Sequence, residues 1–301
     1  MDLFRIFLVL IIFSIISLVP QAFAQISFGT PAEHASLKIT IEENGDVHVI
    51  HVVKKNDKNV QVSLIPGTVE NIEVKDVNGN AVQYAMSGDD ILITLFPPKT
   101  NISIEYDLKD VLVLKNGVWT WNYLYTKSDH SEFILPDKVD LAFANDRPVH
   151  IMAADGLRCH GCQMVLEYVI DEPMIINEIE WEGQKFPVFI RTLDEIKSFS
   201  FDQPSRSLSF ETTDGNRFIT LVIPLELLWN PYEVYLDGEK FLKHEFSQNS
   251  THVWLNIRPE AAGTIEIIGV SAVPEFSILF PLVLGIVMVV GFSIKNKINL
   301  R

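Results

Sequence analysis

The sequence predicts an all-β body: two β-sandwich-like ectodomains, with an N-terminal signal peptide before them and one C-terminal transmembrane helix after them. Three observations predict it. Short runs of alternating apolar and polar residues recur about every eight to twelve positions, the spacing of sandwiches and barrels. Asn-Gly and Asp-Gly pairs stand between several of these runs and accept the positive φ angles of tight hairpin turns. The body has no long apolar pattern of helical period, whereas continuous apolar runs occupy both ends.

Residues 1–24 read as a signal peptide. Arg5 supplies the positive start, Ile6–Val19 the apolar stretch, and Ala22-Phe23-Ala24 the small residues of a cleavage site. The run is short for a span and is broken at Pro20, so cleavage after Ala24 is expected. Residues 25–34 are expected to be a flexible leader.

Residues 35–172 are expected to form the first β domain. Leu37–Glu42 and Val47–Val53 flank Asn44-Gly45, Ile91–Phe96 follows Gly88-Asp89-Asp90, and Val118–Tyr123 follows Asn116-Gly117. A break is expected at Asp171-Glu172-Pro173. Residues 173–270 then have about the size of an immunoglobulin-like sandwich but lack its cysteine pair. There, Phe218–Ile223 follows Asp214-Gly215, and Asp237-Gly238 is expected to join Tyr232–Leu236 to Phe241–Phe246. Pro224–Trp229 reads as one helical turn or an irregular crossover.

Residues 271–277 are expected to form a short stalk carrying Pro274-Glu275-Phe276. The transmembrane helix is placed at 278–294, inside an uncharged stretch from Phe276 to Ile294. About 19 helical residues at about 1.5 Å each span roughly 28 Å, close to the thickness of the hydrocarbon core. Residues 295–301 hold Lys295, Lys297 and Arg301 and are expected to stay in the cytoplasm by the positive-inside rule. The expected topology is a cell-membrane protein with a single C-terminal span and its body at the cell surface.

The formal net charge is −15. Without Asp2, Arg5, Lys295, Lys297 and Arg301 the exported part keeps 38 acidic against 20 basic side chains, a balance of −18. Nucleic acid, which needs basic patches, is therefore excluded as a partner.

Val273-Pro274-Glu275-Phe276, then an apolar run, then a basic end, resembles the PEF/PEFG-type C-terminal sorting tails of archaeal exported surface proteins, with Ser277 where the PEFG form has Gly. The stretches NRFITLVIPLELLWNPYEVYLDGEKF and THVWLNIRPEAAGTIEIIGVSAVPEF resemble a β module that precedes such tails, over roughly residues 205–295. The resemblance implies surface display, a β-sandwich, and a membrane-embedded sorting transpeptidase as a partner, with other envelope proteins around it. It implies no activity.

Arg158-Cys159-His160-Gly161-Cys162-Gln163-Met164 holds the chain's only two cysteines. Outside the cytoplasm, thiols are not kept reduced. Gln163 stands where haem attachment needs His, no second cysteine pair completes a zinc site, and no βαβ pattern supports a thioredoxin-like motif. Two readings survive. In one, His160-Gly161 is a two-residue hairpin turn and Cys159 and Cys162 form a disulfide across it. In the other, Cys159, His160, Cys162 and Met164, with His150 and Met152 on a preceding strand, bind copper, whose Cu(I) state suits thiolate and thioether. No cofactor is expected under the first reading.

The remaining patterns have bland readings. His48 and His51 lie three apart in a strand and face opposite sides. Asp129-His130-Ser131 has triad residue types but no triad geometry. Asp76–Asn80 reads as a turn rather than a calcium loop, lacking the later Glu. Trp119 and Trp121 share a face and are expected to pack rather than bind sugar. Asn101-Ile-Ser103 and Asn249-Ser-Thr251 fit the N-glycosylation pattern. Together these features point to a non-enzymatic, membrane-anchored or sorted surface protein with an envelope, adhesion or accessory role. The alternatives are an extracytoplasmic copper-binding protein and an ectodomain-bearing subunit of a membrane complex.

Overall fold

The computed structural model describes residues 29–87, 91–151, 156–181 and 183–272, and only the backbone of residues 161, 162, 247, 248, 271 and 272. The signal peptide, the Pro274-Glu275-Phe276 motif, the span and the basic tail lie outside the described residues, as does Met152. All regular structure within them is β.

The first part of the chain holds thirteen strands. In order they are β1 (Thr30–Pro31), β2 (His34–Ile41), β3 (Val47–Val53), β4 (Val60–Ser63), β5 (Thr68–Asp76) and β6 (Tyr84–Ser87). β7 (Leu92–Leu95), β8 (Ile102–Lys109), β9 (Val113–Lys115) and β10 (Val118–Ile134) follow. β11 (Leu141–Ala144), β12 (Arg147–His150) and β13 (Leu157–Tyr168) close the set. The larger sheet runs β12-β11-β13-β10-β2-β3-β8-β5, with β9 also on β10, and the smaller runs β1-β4-β7-β6.

Strict alternation builds this core. In β3, Val47, Val49, His51 and Val53 are buried, and in β8 so are Ile102, Ile104, Tyr106 and Leu108. One face of each strand is thus apolar with a period of two. Val60, Val62, Ile93 and Leu95 from the smaller sheet close on this face and share its core.

The second part holds β14 (Met174–Trp181), β15 (Gln184–Arg191), β16 (Ile196–Asp202), β17 (Ser207–Thr212), β18 (Ile219–Pro224) and β19 (Leu228–Trp229). β20 (Glu233–Leu236), β21 (Glu239–Lys240), β22 (Lys243–Gln248), β23 (His252–Ile257), β24 (Gly263–Ile268) and β25 (Ser271–Ala272) complete it. Two five-stranded sheets, β14-β15-β18-β23-β22 and β16-β17-β24-β20-β21, enclose one core; β19 pairs with β25.

Asn116-Gly117 and Asp237-Gly238 are tight turns with positive φ at both residues, 51° and 84°, then 49° and 85°. Only residues that tolerate the left-handed region fit there. The second turn joins β20 to the short β21, not to Phe241–Phe246 as expected: the chain then crosses over, and β22 pairs with β23 in the opposite sheet. Leu225–Leu227 is a turn, so the crossover reading of Pro224–Trp229 holds.

Two boundaries differ from expectation. From Gly29 the leader is not free, because Thr30–Pro31 pairs in parallel with Val60–Gln61 and β2 begins at His34. At the other end, Ser271–Ala272 of the expected stalk is paired with β19. In each case a neighbouring strand end offers backbone groups that the segment satisfies.

The two parts pack on each other. Phe143 and Phe218 stack with centroids 3.5 Å apart and planes 3° from parallel, and Leu141 and Phe246 complete this small core. The Arg258 guanidinium lies 4.3 Å from the Phe218 ring centroid and donates to Glu167 Oε2 at 3.0 Å and to Asp146. Arg217 donates to the carbonyl of Asn116 at 2.9 Å, and Arg191 pairs with Asp140.

Candidate functional site

The cysteine segment lies on β13, which pairs with β10 along almost its whole length. On one side of an irregularity Leu157, Arg158, Cys159 and His160 face Phe133, Glu132, Ser131 and His130. On the other, Cys162, Gln163 and Met164 face Tyr125, Leu124 and Tyr123. Residues 126–129 of β10 therefore bulge opposite residue 161. This corrects the expected hairpin: no turn occurs at His160-Gly161. A turn would need the chain to reverse there, whereas both flanks pair with the same neighbour in one direction.

The bulge changes which residues face inward. Leu157 is buried and Cys159 packs half-buried on the core, so odd positions point inward there. Beyond it Met164, Leu166 and Tyr168 are buried, so even positions point inward. The switch falls within residues 160–163. In a regular strand, residues three apart face opposite sides about 10 Å apart at Cα, too far for a disulfide. Cys159 and Cys162 stand on either side of the register shift.

Among the described side chains the members of the expected copper set do not converge. Met164 is buried in the core opposite Tyr123, while His160 is exposed. His150 sits on β12, separated from β13 by β11, and its ring lies 5.3 Å from Phe246 and 6.0 Å from Trp254 of the second domain. Burial there lowers its pKa. β12 is not the hairpin partner of β13 that the reading required. Among the described residues no group of three or more His, Cys, Asp or Glu side chains is arranged to hold a metal. One pairing was missed: His130 stands directly opposite His160, with ring centroids 5.3 Å apart and both side chains exposed. No local signal could show it, since the residues meet only through strand register.

A buried histidine–tyrosine cluster was also missed. The Ile65 amide donates to the Tyr106 oxygen at 3.0 Å, and His51 Nε2 shares a hydrogen bond with the same oxygen at 2.8 Å. Tyr125 donates to the Ser63 carbonyl at 2.7 Å, and His34 Nε2 lies 3.4 Å from the Tyr125 oxygen. The His34 and His51 rings are 5.2 Å apart. Burial, reinforced by His34, pushes the His51 pKa down to about 3. Burial also lowers that of His34, against the opposing charge of Asp129. Burial thus disfavours the charged form of both rings.

The other sequence candidates fall as follows. His48 bonds Asp107 on the outer face of β3, opposite to the buried His51. Ser131 is buried against Tyr123 while His130 is exposed, so Asp129-His130-Ser131 forms no triad. Asp76 Oδ1 accepts from the amides of Asn78 and Asn80, which makes the segment a turn. Trp121 is buried and Trp119 packs on the same core. Asn101 and Asn249 are exposed. At the domain junction a groove of about 600 Å³ is lined by Asp146, Asn216, Phe241, Leu242, His244 and Arg258. The Arg258 guanidinium that borders it is already committed to Glu167 and Asp146.

No protein-family model matches this chain, and no curated protein matches it.

Proposed function

We propose that the chain is a non-enzymatic surface protein, exported by residues 1–24 and held by residues 278–294 or processed at Pro274-Glu275-Phe276, with an envelope, adhesion or accessory role. The observation that carries this reading is where the second domain ends. The last strand among the described residues, β25, reaches Ala272, and the uncharged run begins at Phe276. A folded body tied this closely to an apolar segment suits display at a membrane. We further propose that Cys159 and Cys162 form a disulfide at the bulge, and that Asn101 and Asn249 are the sites open to glycans. The test is protease treatment of intact cells followed by mass analysis of the membrane fraction. Loss of peptides from residues 29–272 in intact cells supports display; full protection of those peptides refutes it.

A second reading, binding of copper or a related divalent ion outside the cytoplasm, is favoured by the His130–His160 pair. Two exposed imidazoles on directly opposed positions suit Cu(II) or zinc, with water in the remaining positions. Calorimetric titration with Cu(II) tests it. Binding that weakens at least tenfold in His130→Ala and in His160→Ala supports it, and equal binding by both variants sinks it.

A further inference from the structure

β19 and β25 make a small platform at the end of the second domain. Within β19, Leu228 is fully buried and Trp229 is 47% exposed, as alternation along a strand requires. Trp229 is paired with Ser271, and its carbonyl accepts from the Val270 amide at 2.9 Å. Val270 is itself 49% exposed. The Arg206 guanidinium donates to the Val270 carbonyl, which sets a cation at the backbone of this platform. The platform is firmly held: Tyr232, buried, donates to the Leu228 carbonyl at 2.7 Å, and the Gly269 amide donates to the Arg206 carbonyl at 2.9 Å.

A lone exposed Trp needs no explanation. Its place in the chain does. From Ala272 to Phe276 the backbone reaches at most about 14 Å, at no more than about 3.6 Å per residue. If the run from Phe276 enters a bilayer, the end of the domain carrying Trp229 must face that bilayer. The polar layer outside the hydrocarbon is only about 5–8 Å thick on each side. Trp is the side chain most suited to that layer, with an apolar body and an N–H that seeks a polar partner.

We infer that Trp229, flanked by Val270 and Arg206, seats the second domain in the headgroup layer of the membrane that holds residues 278–294. This rests on the anchored reading above. The ligand is the lipid interface itself, with Arg206 placed to meet headgroup phosphate. Trp229 then orients the body on the membrane, which a short connection alone does not do.

The test uses the full chain in phosphatidylcholine–phosphatidylglycerol nanodiscs, with acyl chains either plain or brominated near the headgroup. Bromine quenches only tryptophans at that depth. The expected result is a loss of emission in brominated discs for the wild type that disappears in Trp229→Phe, the other four tryptophans being unaffected. Both proteins are first checked for co-migration with lipid in a density gradient. Co-migration without quenching of the wild type overturns the role of Trp229 and leaves the anchor intact. Equal quenching in both proteins also overturns it, by placing another tryptophan in the layer. Failure of both to co-migrate overturns the anchored reading, and this inference with it.

Discussion

His51 and Tyr106, 55 positions apart in the chain, share a 2.8 Å hydrogen bond inside the core of the first domain. Burial, with His34 adding to it, pushes the His51 pKa down to about 3 against about 6.5 in the unfolded chain. Between those values the unfolded state binds a proton that the folded state does not. Stability is therefore complete above about pH 6.5 and falls as the pH drops, by up to about 1.4 kcal/mol per pH unit from this group. Urea unfolding at pH 7, 6, 5 and 4 should show that slope. His51→Leu should flatten it by about one proton, at the cost of the His51–Tyr106 hydrogen bond. An unchanged slope in the variant would place the acid sensitivity elsewhere.

Glu172 gives the opposite dependence. Burial raises its pKa to about 7, with Asp140 adding to the rise and Arg191 opposing it. Between about pH 4.5 and 7 the folded state holds the extra proton, so this contribution is lost as the pH rises through 7. Glu172→Gln mimics the protonated carboxyl. It should stabilise the protein at pH 8 by about 1–3 kcal/mol and change little at pH 4.5. Paired denaturation midpoints at the two pH values check this, and equal shifts at both would contradict it.

These two groups also show what a sequence can and cannot reveal. The inward face of Val47-His-Val-Ile-His-Val-Val53 is legible, because period-two alternation is local. So is the turn at Asn116-Gly117, because its dihedrals demand those residues. The partners of His51 are not legible, since β3, β8 and β10 come together only through sheet register. β10 extends through the polar stretch Thr126–Ser131 to Ile134 by pairing on both sides of a bulge. That hidden extension turned an apparent hairpin at His160-Gly161 into a continuous strand. The crossover after β21 was equally hidden, because a local pattern does not say which sheet a strand joins.

The junction between the domains depends on a few side chains. Phe143→Ala or Phe218→Ala should cost about 3–5 kcal/mol of junction stability, the range for truncating a buried aromatic. Arg258→Met removes the guanidinium from the nearly buried Glu167 and should cost about 3–5 kcal/mol, because an unpaired buried charge remains. If the junction couples the domains, calorimetry should show one transition for the wild type and two for these variants. A single transition that merely moves down would mean that the domains stay coupled by other contacts.

The cysteine pair makes the last prediction. A disulfide between Cys159 and Cys162 closes a loop of about four residues, and by the chain-entropy relation it adds only about 2 kcal/mol. Its value lies in holding the bulge where β13 changes parity, between the buried Leu157 and Met164. Intact mass of protein alkylated before reduction should show no added groups, and two after reduction. Cys159→Ser with Cys162→Ser should fold with a modest loss of about 2 kcal/mol. Hydrogen exchange should quicken near residues 126–131 and 157–164 and stay unchanged in the second domain. Alkylation without reduction would remove the bridge from the account and leave the bulge to be held by its strand pairing with β10 alone.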